Sequence, residues 1–197
     1  MEATFKKRLL AYLIDLFILS FLVVIIISIF NIDNNGTLIS LNKELTNIEE
    51  EYIEERITFN DYIKEYASIN YMIDKQEFLV NIINAILVIF LYILIPYFLD
   101  GQTIGKKILK IKIVKNNNKK LDLNTLIIRS ILINYLGYML ITLGLIFILN
   151  SFSYFIVGLI LTILELLLVI ISSFMVLYKS EKRGIHDILV NTKVIDV

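Results

Sequence analysis

The sequence predicts an all-α integral membrane protein. It has four transmembrane helices, both termini on the cytoplasmic side, an extracytoplasmic helical insert and a small cytoplasmic β-hairpin. Three observations lead there. The 197-residue chain is 57% hydrophobic, against about 45–50% for an ordinary soluble domain, and its mean hydropathy is +0.76. Its apolar residues gather into four runs long enough to cross a bilayer, which takes about 20 residues. Its 19 basic and 19 acidic residues cancel overall but separate sharply by segment.

The spans read as 9–30, 78–99, 123–149 and 154–178 of a single membrane domain over 1–197. The first is too long for a signal h-region of roughly 7–15 residues, and no small-residue cleavage site follows it. Pro96 falls in the last turn of the second and is expected to bend its exit. Orientation follows positive charge. Lys6, Lys7 and Arg8 precede the first span, seven lysines lie in 100–122, and Lys179, Lys182, Arg183 and Lys193 fill the tail 179–197. Residues 31–77 hold eleven acids and four bases, a net of −7. The basic segments alternate with the acidic one across an even number of spans, so both termini are expected in the cytoplasm of a multi-pass cell-membrane protein. The Ile, Asn and Lys bias fits an AT-rich genome and a bacterial source.

In the insert, Leu41, Leu45, Ile48 and Tyr52 share one helix face. Thr58-Phe-Asn-Asp61 has the form of a capping box, and Tyr62, Tyr66, Ile69 and Ile73 follow at helical spacing. Two amphipathic helices result. Their acidic surface reads as a solvated face, with a cation funnel as the functional alternative. In 100–122, the alternation of Lys107–Val114 predicts a strand, Asn116–Asn118 a turn and Lys119–Leu123 a return strand. The hairpin's lysines are expected at anionic lipid headgroups.

Three stretches, in order and in register, resemble the RDD family of small membrane proteins. They are Arg8-Leu-Leu-Ala-Tyr-Leu-Ile-Asp15, then Gly101-Gln-Thr-Ile-Gly-Lys-Lys-Ile-Leu-Lys-Ile-Lys-Ile-Val114 with Ile127-Ile128-Arg129 after it, and Arg183-Gly-Ile-His-Asp-Ile-Leu-Val-Asn-Thr-Lys-Val194. Ile104 stands where members often have proline, and the outer segment is unusually long. The resemblance implies a helical membrane domain, an association with transport, and structural roles for Gly101, Thr103, Gly105, Lys106 and Thr192.

Candidate site residues are the ionisable groups in or beside the spans, because charge inside a bilayer costs roughly 2.5–3.5 kcal/mol at a helix centre and tends to be functional. At about 1.5 Å of rise per residue, Asp15 and Arg129 each lie roughly 9 Å inside the same boundary, which makes them the expected buried pair. Arg8 is about 10.5 Å from Asp15 along the axis and tilts away from it. It is assigned instead to lipid phosphate or to Asp187, which with His186 would complete a cytoplasmic-side cluster. Glu165 is the deepest charge, about 20 Å from that face with no cation at its level. Asn84, Ser20 and Tyr138 are its candidate hydrogen-bond partners, and a proton site and a static hydrogen bond both remain open for it.

Other chemistries are excluded or unsupported. Cysteine is absent and His186 is the sole histidine, so thiol chemistry is excluded and a protein-bound catalytic metal is not expected. Gly101–Lys107 superficially resembles a phosphate-binding loop. It is one residue short between its glycines, lacks Ser/Thr after the lysine and follows a span rather than a strand. No enzyme activity, cofactor or nucleic-acid partner is expected. The leading reading is a transporter of a small ion or small solute, cation- or proton-coupled and working as a homo-oligomer. The alternative is a non-transporting scaffold that docks through its acidic cap or basic hairpin.

Overall fold

The structure, a computed structural model, describes residues 1–32, 35–117 and 119–197. It is mostly helical. Helix α1 (Phe5–Ile29) starts where Thr4 accepts the Lys7 amide. Helices α2 (Asn35–Ile53) and α3 (Phe59–Gln76) form an antiparallel pair closed by Leu41, Ile48 and Ile69, with Leu45, Tyr62, Tyr66 and Ile73 packed around them. This is the face read from the sequence except for Tyr52, which is exposed and stacks on Tyr62, and Thr58 caps α3 by accepting the Asp61 amide. Helix α4 (Phe78–Phe98) follows after one residue. Its Phe90–Leu94 segment is wound as a π turn just before Pro96. The wider turn absorbs the backbone disruption that a proline imposes, and it buries Leu91, Tyr92 and Ile93 in succession.

Among the described residues, three helices are long and apolar enough to cross a membrane: α1, α4 and α8 (Ser151–Tyr178). The third apolar run departs from the continuous helix expected over 123–149. It divides into α6 (Leu123–Ile133) and α7 (Leu136–Leu145), bent by 77°. Tyr135, at the break, has a left-handed backbone, φ 58°. Counted as one broken span, the pair brings the total to four.

The two ends of the bundle differ. At one end Tyr154 donates to the Asp74 carboxylate at 2.9 Å, and Tyr71 donates to the Ile146 carbonyl at 2.9 Å, so α3 is tied to the α7–α8 turn. At the other end lie both termini and residues 100–122. Helix α5 (Ile104–Ile108) leads into β1 (Ile111–Lys115), and α9 (Ile185–Leu189) into β2 (Thr192–Asp196). The two strands pair antiparallel, with Ile113 opposite Val194. The expected two-stranded sheet is therefore present, but its second strand comes from the tail rather than from Lys119–Leu123. Of the expected turn, Asn118 lies outside the described residues. Ile111, Ile113, Thr192 and Val194 point inward at alternate positions. Glu2 bridges to Ile195, and the Ala3 amide donates to the Val194 carbonyl at 3.0 Å. All three basic segments thus meet in one small structure.

Candidate functional site

Asp15 sits on α1 and is 1% exposed. Its partner is not Arg129, as depth matching predicts. Its carboxylate accepts the Thr103 hydroxyl at 2.5 Å and the Gly105 amide at 2.7 Å, so both oxygens are used by the start of α5. The two glycines make this docking feasible. Gly101 has φ 86°, and a Cβ there would lie 2.1 Å from the Ile113 carbonyl oxygen. A Cβ on Gly105 would lie 2.1 Å from the Ala11 carbonyl oxygen. The Gly-x-Thr-x-Gly spacing is thus a loop that turns sharply, caps a short helix with Thr103 and presses it against Ala11 and Asp15. The depth argument failed because it considered span against span and gave the loop no depth.

Arg129 turns to Asp187. Its Nη1 donates to Asp187 Oδ1 and, at 2.6 Å, to the Thr192 hydroxyl. Asp187 is fully buried and is the hub of the cluster. Arg8 Nη1 reaches its second oxygen at 3.1 Å, and the Gly184 amide reaches the same oxygen at 3.3 Å. Thr192 donates to Oδ1 at 3.2 Å, and His186 Nε2 lies 3.4 Å from Oδ2. Burial alone would raise the Asp187 pKa, but Arg129 and His186 outweigh it and hold the carboxyl well below the usual range. Arg8 Nε and Nη2 also donate to the Ala3 and Val194 carbonyls, which fastens the N-terminus to β2. Arg183 donates to the Thr192 and Asp187 carbonyls and fixes the tail's turn.

His186 sits between Ser172 and Asp187. Ser172 Oγ accepts the Ile185 amide at 3.1 Å and lies 2.8 Å from His186 Nδ1. The hydroxyl hydrogen is then free to point at Nδ1, which leaves the ring proton on Nε2, facing Asp187. Burial lowers the His186 pKa and the Arg129 charge lowers it further, while Asp187 pulls the other way.

Glu165 lies apart. It is 7% exposed, and its Oε1 accepts the Tyr135 amide at 3.1 Å. Tyr135 is the residue at the α6–α7 break, where an amide loses its helical acceptor. An unsatisfied amide in hydrocarbon costs several kcal/mol, so Glu165 supplies what the broken span lacks. This bond is to backbone, unlike the side-chain partners expected for it.

The two carboxylate assemblies flank one cavity of about 220 Å³ between α1, α4, α6 and α8. Arg8, Lys106, Arg129 and His186 line it together with Tyr92, Thr103, Ser130 and Ser172, and no carboxylate among the described residues does. Lys106 is partly buried, with Nζ 3.4 Å from the Thr103 hydroxyl. Burial pushes its pKa down to about 8; Asp15 draws it up, and Arg129 draws it down. Tyr92 and Ser172 escaped the sequence reading. Ser172-Ser173 inside an apolar run is a visible signal, whereas Tyr92 carries none, since aromatic residues recur throughout the spans.

The arrangement is a mostly apolar chamber with cationic and hydroxyl groups set into its wall, at the terminal end of the bundle and assembled from three stretches separated in sequence. Comparison with known proteins speaks to the same stretches. No curated protein and no solved structure matches the chain. A family model described as the RDD family matches residues 2–191, almost the whole chain and every residue of both assemblies except Thr192 and Val194. The chain belongs to the RDD family.

Proposed function

We propose that this protein is a multi-pass cell-membrane transporter that loads a small ion or small solute into the cavity between α1, α4, α6 and α8 from the cytoplasmic side. The observation that carries this reading is the cavity itself: polar and charged side chains are gathered within a bundle whose other walls are apolar. Its lining carries three cations, so it suits the negative part of a solute better than a metal cation. Coupling to a cation or proton is kept as part of the proposal, with Glu165 as the proton candidate because it is buried and faces no basic partner in the described bonds. The convergence of all three basic segments at one end supports cytoplasmic termini.

The test is flux in proteoliposomes holding a pH-sensitive dye. Imposed cation or anion gradients should move protons or charge in the wild type, faster than in protein-free vesicles. Glu165→Gln should slow the proton signal. Absence of flux, with Glu165→Gln and Asp15→Asn keeping a wild-type phenotype in the cell, would overturn the reading. The scaffold reading draws on the acidic α2–α3 pair, which exposes Glu44, Glu49, Glu50 and Glu65. It calls for one membrane partner that co-purifies with the full chain and is lost when residues 40–75 are deleted.

A further inference from the structure

The cavity holds a second feature that points to a ligand. Tyr92, on the π turn of α4, is 6% exposed, lines the cavity, and its hydroxyl has no hydrogen-bond partner among the described residues. A buried hydroxyl without a partner costs free energy unless something else satisfies it. The neighbouring cations are also not used up. The described bonds of Arg129 leave from Nη1 alone, although a guanidinium carries five donors. Among the described residues, Lys106 Nζ reaches only the Thr103 hydroxyl, at 3.4 Å. The walls beyond these groups are apolar: Phe5 and Leu9 of α1 face Val169 and Val176 of α8.

We infer that this cavity binds the phosphate-ester headgroup of an anionic phospholipid, its phosphate held by Arg8, Lys106, Arg129 and Tyr92 and its acyl chain lying between α1 and α8. Convergent guanidinium and ammonium donors match a multi-oxygen anion, and arginine is well suited to phosphate. Free inorganic phosphate would leave the apolar walls unused, whereas a lipid fills both parts. The site also lies at the membrane boundary, where headgroups are abundant. The inference rests on reading this cavity as a ligand site and adds to it a bound lipid, distinct from the small solute that would be transported.

The experiment uses the full chain in nanodiscs of equimolar phosphatidylcholine and phosphatidylglycerol, with bound lipid read by native mass spectrometry. Wild type should retain phosphatidylglycerol in preference to phosphatidylcholine. Lys106→Gln should lower that retention about tenfold, and Tyr92→Phe about threefold. Because the Tyr92 hydroxyl bonds none of the described residues, Tyr92→Phe should fold and melt like wild type. Lys107→Gln, at an exposed neighbour, should change nothing. Equal losses in Lys106→Gln and Lys107→Gln would mean surface attraction only and overturn the site. So would retention without headgroup preference, and so would displacement of the lipid by inorganic phosphate at equal concentration. Flux that persists in liposomes without lipid retention would overturn this inference and spare the transport reading. Lipid retention without flux would do the reverse.

Discussion

Asp187 carries more of the architecture than any other side chain. It neutralises part of two arginines that are distant in the sequence, and it has no access to solvent that could replace them. Removing one member of a buried ionic cluster leaves its partners uncompensated, which costs about 3–5 kcal/mol. Asp187→Asn should lower the melting temperature of the detergent-solubilised chain far more than Asp196→Asn, whose Lys7 bridge is half-exposed. His186 gives a pH dependence of definite sign. Its folded pKa lies below the ordinary 6.5, so the unfolded chain takes up the proton first as pH falls. Stability is therefore full above that value and is lost as pH drops below it. The groups facing the ring are Asp187, Arg129, Arg8 and Ser172. Melting followed from about pH 7.5 to about pH 5.5 should show the decline, and His186→Gln should flatten it. An unchanged slope in that variant would assign the effect elsewhere.

At the scale of elements, two local irregularities do the positioning. One is the break between α6 and α7. A run of apolar residues reads as one long span, and length conceals the bend, although Asn134 and Gly137 stand at the interruption. What makes the bend tolerable is on another helix, the Glu165 carboxylate at the Tyr135 amide, and such a partner is not legible in the run itself. Glu165→Gln keeps an acceptor and should melt close to wild type. Glu165→Leu removes it and should cost about 1–3 kcal/mol. The other irregularity is the docking of α5 on α1. Gly105→Ala places a methyl against the Ala11 backbone and should destabilise by about 1–3 kcal/mol, because the neighbour is main chain and yields little. The insert shows the opposite case. Its two helices were legible because each buries one stripe against the other, and period and contact coincide. The sheet was half legible: alternation marks Ile111–Lys115 as a strand, but a local return strand is the simplest partner, and the true one lies in the tail.

Across the whole molecule, sequence distance is what hid the site. Arg8, Arg129 and His186-Asp187 were each recognised as candidates, and the contact between Arg8 and Asp187 was among the readings. The pairing of Arg129 was not, because it requires the tail to fold back beneath α6 and bring Thr192 with it. The apolar composition and the segregation of charge gave the membrane architecture directly, since each is a property of whole segments. Sidedness can be measured on the chain's own terms, as it has no cysteine. A single cysteine at Glu50 should react with an impermeant maleimide in intact cells, and one at Lys119 only after permeabilisation. The reverse pattern would invert the orientation.

The central claim is that the cavity, rather than the charged surface around it, handles the solute. The most direct measurement compares initial flux in proteoliposomes for Lys106→Gln, whose lysine lines the cavity, and Lys107→Gln, whose lysine is exposed beside it. Lys106→Gln should cut the rate about tenfold, the loss expected for one charged hydrogen-bond donor at a ligand, while Lys107→Gln matches wild type. Equal rates in the two variants, whether both high or both low, would contradict the claim.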